Sequence, residues 1–220
     1  MNASQSPRGR DATARAQRLA DELADAAGLG DVRVELAHPP SDARPLVAGS
    51  VRRGASARIY LTPAIPETLD DEQLRAVLAH ETGHLVHRHG RTTRIARRLR
   101  WASTVATLAA VAALAWAGLA DPLEAWLLAA WCVLAPWPLL LVLHRRQEVQ
   151  AHLHALRSIP RPAALVSAIR VLAGPRRQGW LARLTALLGE QPTPGQAAGL
   201  ARRWAERRRR AGADKPGRIG

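Results

Sequence analysis

His80-Glu81-Thr82-Gly83-His84 closes a run that begins Leu69-Asp70-Asp71-Glu72-Gln73-Leu74-Arg75-Ala76-Val77-Leu78-Ala79, and the reading of this stretch decides the fold. At 3.6 residues per turn, imidazoles four positions apart stand one above the other on one helix face, the separation a single metal ion bridges. Zinc is the default metal for such a pair. Glu81 projects about 100° round the helix from His80, beside the ion, where a carboxylate can act as general base. Two surface histidines on an ordinary helix would carry the same letters, so the context has to decide. Asp70 with Gln73 three positions on is a capping-box signature, and acidic residues fill the first turn. Leu74, Val77, Leu78 and Leu85 form an apolar stripe. Gly83 costs this helix about 1 kcal/mol relative to Ala, so another segment is expected to pack closely against it.

The 220 residues are 47% hydrophobic, enough for one domain with a real core or for a small domain with membrane spans. Cys132 is the lone cysteine and can form no internal disulfide, which argues against oxidising export and against a cysteine-based zinc site. The net charge of +14 is almost wholly arginine, clustered at 91–100 and 202–210. Charge alone suits anionic lipid or nucleic acid. With no Phe and one Tyr, platforms for base stacking are scarce. A lipid bilayer is therefore the expected partner, and no nucleic acid.

Residues 1–10 and 211–220 are polar and unpatterned and are expected to be disordered. No signal peptide is expected, because the first long apolar run begins only at Trp101. Ala16, Leu19, Ala20, Leu23, Ala24 and Ala27 recur at helical spacing over 11–27, and Gly28 and Gly30 stop that helix. Three strands are predicted, Val32 to Leu36, Leu46 to Val51 and Arg58 to Leu61, the last two joined by a turn at Arg52-Arg53-Gly54-Ala55. Pro63 and Pro66 end the sheet.

Trp101 to Ala120 and Ala125 to Leu143 hold no charge, and each is long enough to cross about 30 Å of hydrocarbon. With only Asp121-Pro122-Leu123-Glu124 between them, they read as a two-helix transmembrane hairpin, its second arm kinked by Pro136 and Pro138. A buried hairpin is the competing reading, but a domain this small could not cover both arms all round. Arg91, Arg94, Arg97, Arg98 and Arg100 precede the first arm and Arg145 and Arg146 follow the second, which predicts cytoplasmic flanks. Residues 11–100 and 144–210 would then form one domain on one side of the membrane. Helices are expected at Ala151 to Leu156, Ala163 to Ala173, Trp180 to Leu188 and Gln196 to Arg210.

A catalytic zinc takes three protein ligands and keeps one position open. His87 shares the face of His80, but a straight helix holds it too far from an ion between His80 and His84. The metzincin pattern needs Gly at 87 and His at 90, and this chain has the reverse. The better candidate is Glu148, in His144-Arg145-Arg146-Gln147-Glu148-Val149-Gln150-Ala151-His152, which returns to the same side of the membrane after the second arm.

Ile59-Tyr60-Leu61-Thr62, the capped helix with its two histidines, Arg88-His89, the apolar hairpin and the Arg-rich segment with Glu148 together resemble the HtpX-like membrane zinc metalloproteases. These are relatives of the CAAX prenyl proteases within the gluzincins. The likeness covers roughly residues 55–173 and implies an α+β, zincin-like protease domain interrupted by a transmembrane hairpin. It implies one zinc per chain on His80, His84 and Glu148, with Glu81 as general base. It also implies that Ile59, Tyr60 and Leu61 pair with an extended substrate peptide at the sheet edge. The implied activity is endopeptidase cleavage of membrane or misfolded proteins, in a multi-pass protein of the bacterial inner membrane with site and termini in the cytoplasm.

This chain departs from the family pattern at three places. Family members usually have Asp four residues after the glutamate ligand, supporting a zinc histidine; here His152 stands there, as a supporting group, a fourth ligand or a solvent-facing side chain. Gln191-Pro192-Thr193-Pro194 lacks the family's histidine and Ala197 replaces an expected arginine, leaving no assigned oxyanion stabiliser. The two spans that usually precede the catalytic helix have no counterpart before residue 101. A zinc-binding member that no longer turns over and acts as a binding partner or regulator is the alternative these departures raise.

Overall fold

A computed structural model describes residues 7–37, 48–54, 56–118, 121–134, 136–173 and 194–213. Helix α1 (Pro7–Ala26) lays Ala16, Leu19, Ala20, Leu23 and Ala24 into the core at the spacing the sequence predicts. It stops where Gly28 takes φ +63°, a conformation that costs glycine little, and the Leu29 amide closes back on the Ala24 carbonyl at 2.9 Å. Because α1 starts at Pro7, residues 7–10 are helical and not disordered as expected.

Strands β1 (Val32–Leu36), β2 (Ala48–Arg53) and β3 (Ser56–Leu61) form one sheet in the order β1-β3-β2. Arg53 pairs with Ser56, so the turn shrinks to two residues, with Gly54 at φ +62°. Leu46 and Val47, expected to open the second strand, lie outside the described residues. Strand β3 runs parallel to β1 and antiparallel to β2, which puts it in the centre. Ile59, Tyr60 and Leu61 therefore spend their backbone groups within the sheet, which corrects the expectation that they lie at its edge. The outer side of β1 is closed by Gln17 of α1, whose amide donates to the Val32 carbonyl (2.7 Å) and accepts from the Val34 amide (2.8 Å). Among the described residues the open edge is that of β2.

A short helix α2 (Ala64–Thr68) leads into α3 (Asp71–Val86), which carries the motif. The capping box forms as read: Asp70 accepts from the Gln73 amide at 2.8 Å and the Gln73 side chain accepts from the Asp70 amide at 3.3 Å. Leu74, Leu78 and Leu85 are fully or almost fully buried against α1, the sheet and the C-terminal helices. Arg88, at φ 52°, turns the chain into α4 (His89–Trp116), followed by α5 (Pro122–Leu134), α6 (Pro136–Ser158), α7 (Pro162–Ala173) and α8 (Pro194–Ala213).

Of the two apolar runs, the first is the distal part of α4, the one helix among the described residues long and apolar enough to cross a membrane. The second run lies on α5 and the start of α6, and Ala135 between them lies outside the described residues. The junction before Pro136 and Pro138, where a kink is expected, lies outside the described residues. Helix α8 extends to Ala213, into the segment expected to be disordered. The helix expected at Trp180 to Leu188, the Gln191-Pro192-Thr193 departure, Leu119-Ala120 and the tail beyond 213 lie outside the described residues.

The close approach expected at Gly83 is made by α6. A Cβ at Gly83 would stand 2.9 Å from the Ala151 Cα and 3.1 Å from the His154 Cβ. Gly83→Ala is therefore expected to destabilise: the roughly 1 kcal/mol gained in helix propensity is outweighed by about 1–3 kcal/mol of overpacking against backbone. Thermal unfolding checks this; a melting temperature equal to or above the parent's would mean that the helices separate freely.

Candidate metal centre

The α3–α6 contact brings Glu148 to the two motif histidines. His80 Nε2 and His84 Nε2 lie 3.1 Å apart, Glu148 Oε1 is 3.3 Å from His84 Nε2 and Glu148 Oε2 is 3.4 Å from His80 Nε2. All three side chains are largely buried, and Glu148 Oε2 has no hydrogen-bond donor. Tetrahedral coordination at bonds of about 2.0–2.1 Å sets ligand atoms about 3.3–3.4 Å apart, and the two imidazole nitrogens and the carboxylate converge on that scale, each nitrogen facing a different Glu148 oxygen. Burial pushes the Glu148 carboxyl up, but the His80 and His84 imidazoles outweigh it and hold it well below the usual carboxylate range. Burial likewise lowers His84, yet its contact with Glu148 and the charges of Glu81 and Glu148 leave it raised overall. A cluster of two imidazoles drawn to one buried carboxylate is what a cation would replace.

Glu81 is 6% exposed, and its charge is felt at His84. Its carbonyl accepts a hydrogen bond from Ser50 Oγ at 3.2 Å, which ties β2 to the motif helix. His84 Nδ1 is 2.9 Å from His89 Nδ1, and His89 Nε2 is 3.0 Å from Gln150 Oε1. A single arrangement of protons satisfies that chain: His84 Nδ1–H donates to His89, and His89 Nε2–H donates to Gln150. Burial and the neighbouring His84 and His87, against the Gln150 bond, lower His89 to about 4, so it is neutral at pH 7 as this arrangement requires. His84 thus presents Nε2, the atom facing Glu148.

His80 is held differently. Its Nδ1 is buried without a partner. The His152 ring stands edge-on to it, with centroids 4.5 Å apart, while His152 Nδ1 bonds the Glu148 carbonyl at 2.8 Å. His80, Glu148 and His152 each offer a ligand atom within 4.8 Å of the others. Burial and the adjacent His80 lower His152 to about 3. His152 is 4% exposed, which excludes the solvent-facing orientation. His87 is exposed and stacks on His89, away from the centre.

Sequence reasoning gave no role to His89, Gln150 or Ser50, although Arg88-His89 is among the residues that carry the resemblance. His89 would lie elsewhere on a straight helix; it returns to His84 only because Arg88 adopts the left-handed conformation, which nothing in the residue type announces. Gln150 shares a helix with Glu148, but the spacing alone gives no reason to single it out.

A family model described as Peptidase family M48 matches residues 10–199. No protein of curated function matches the sequence. The match spans the motif helix, the apolar segment and Glu148 alike, and the chain belongs to peptidase family M48, a family of metallopeptidases.

Proposed function

We propose that the chain is a membrane-anchored zinc endopeptidase acting at the cytoplasmic face, with His80, His84 and Glu148 as zinc ligands and Glu81 as general base. The observation that carries this reading is the convergence of His80 Nε2, His84 Nε2 and the Glu148 carboxylate, with contacts of 3.1–3.4 Å, beside the buried Glu81. Zinc bound there supplies a Lewis acid that polarises a peptide carbonyl and makes water nucleophilic near neutral pH. Glu81 takes the proton from the attacking water and passes it to the leaving amide nitrogen. The His84-His89-Gln150 chain fixes the tautomer of one ligand. An extended peptide adds to the open edge of β2, beside the motif helix, in place of the edge expected at β3.

The reading divides the chain into a protease domain of residues 11–100 and 144–210 and a membrane insertion of 101–143. Trp116, Trp126, Leu127, Trp131 and Leu139 of that insertion are between 62% and 94% exposed, and lipid would cover them. The Arg100 guanidinium lies 4.7 Å from the Trp137 ring, a pairing suited to the headgroup level. Purified protein is expected to hold one zinc per chain and to lose it in Glu148→Ala. Chelation should abolish hydrolysis of casein or a model membrane protein; hydrolysis that survives chelation would sink the proposal.

A second reading has one observation in its favour. His152 offers a ligand atom within 4.8 Å of those of His80 and Glu148, and as a fourth protein ligand it would close the centre, leaving a zinc-binding partner protein without turnover.

A further inference from the structure

A cleft of about 360 Å3 opens beside His84, between β2 and the start of α4. Its walls carry Arg52 and Arg53 from β2, Arg88 from the turn, and Arg91 and Arg94 from α4. None of these five makes an ion pair among the described residues, and Arg52 bonds only the Gly54 carbonyl of its own turn. The scaffold treats arginine otherwise: Arg15, Arg58, Arg75 and Arg161 each meet a carboxylate. Helix α4 adds to the positive field, because Arg88 supplies no side-chain cap and the helix dipole points its positive end into the same space. Five uncompensated guanidinium groups around one concavity repel one another in the free protein, and an anion entering it relieves that repulsion.

The place of the cleft says which anion. Ser50 and Arg52 share one face of β2, the strand whose outer edge is open among the described residues, and His84 lines the cleft. A peptide paired with that edge would hang a side chain into the cleft within a residue or two of the bond under attack. Arg97, Arg98 and Arg100, nearer the apolar run and outside the cleft, serve lipid headgroups without it. We infer that this Arg-lined cleft selects peptide substrates carrying Asp or Glu close to the scissile bond. The inference rests on the peptidase reading for its substrate, and on the cleft alone for its charge preference.

The test measures binding apart from turnover. Full-length, zinc-loaded Glu81→Gln protein in neutral detergent is titrated with fluorescent decapeptides that differ only in Glu, Gln or Lys at one position, scanned along the peptide. At one position Glu is expected to bind at least tenfold more tightly than Gln, with the advantage shrinking as salt rises from about 50 to 500 mM. The double variant Arg91→Glu/Arg94→Glu, both exposed and thus compatible with folding, leaves three arginines facing two glutamates and should largely abolish the Glu preference. Equal affinity, or none, for all three side chains at every position overturns the inference. So does a charge reversal that changes binding only to phosphatidylglycerol vesicles, which would make the cleft a headgroup site. Parent enzyme that leaves the same peptides intact while the Glu preference persists would remove the peptidase reading and keep this one; cleavage without preference would do the opposite.

Discussion

Glu81→Gln is expected to lower kcat for peptide hydrolysis by about 10²- to 10⁴-fold, the usual contribution of a positioned general base, while zinc stays at one per chain. The amide matches the carboxylate in shape, so the buried site keeps its packing. The bond from Ser50 runs to the Glu81 backbone carbonyl and survives the change. What is lost is the carboxylate proposed to accept the proton beside the three proposed ligands. Turnover equal to the parent's would end the enzymatic reading, and loss of zinc together with activity would make Glu81 a ligand or a structural group instead. Metal analysis and initial rates on the same preparation separate these outcomes.

His152→Asp has the second-largest expected effect, and its sign decides between the two readings of the centre. The buried Nδ1 of His80 has no acceptor, and leaving such a donor unsatisfied costs about 1–3 kcal/mol. The His152 ring already packs against that imidazole, so a carboxylate on the same helix turn would reach the donor and hold the ring for the metal. Zinc affinity should rise about 10- to 100-fold, measured by competition with a chromogenic chelator, and kcat/KM should rise with it. If His152 is instead a fourth ligand, the same substitution lowers affinity. A fall in affinity accompanied by new hydrolytic activity would establish the closed, non-catalytic centre as the native state.

Much of this architecture could be read from the chain because the decisive signals are local. The Asp70/Gln73 box, the apolar stripe of α3, the alternation of Val32 to Leu36 and the periodicity of α1 each involve neighbours in sequence, and each element forms where its pattern lies. Gly83 was legible for a different reason, since a glycine inside a helix implies a neighbour even when the neighbour cannot be named. Pairing order was not legible: alternation identifies strands but not which one sits in the middle, and β3 became central because β1 returns beside it in parallel. The partners of His84 and the Arg-lined cleft depend on one backbone turn at Arg88, a conformation that its side chain does not advertise.

Glu148 follows His84 by 64 residues, and the whole apolar segment is threaded between them. A ribosome must therefore finish that segment before the third donor exists, and the segment must fold back before α6 can settle against Gly83. Until then the nascent polypeptide carries two imidazoles and no grip on a cation, so it emerges inert. On the reading proposed above, completion of the centre and placement of the apolar segment would thereby be coupled.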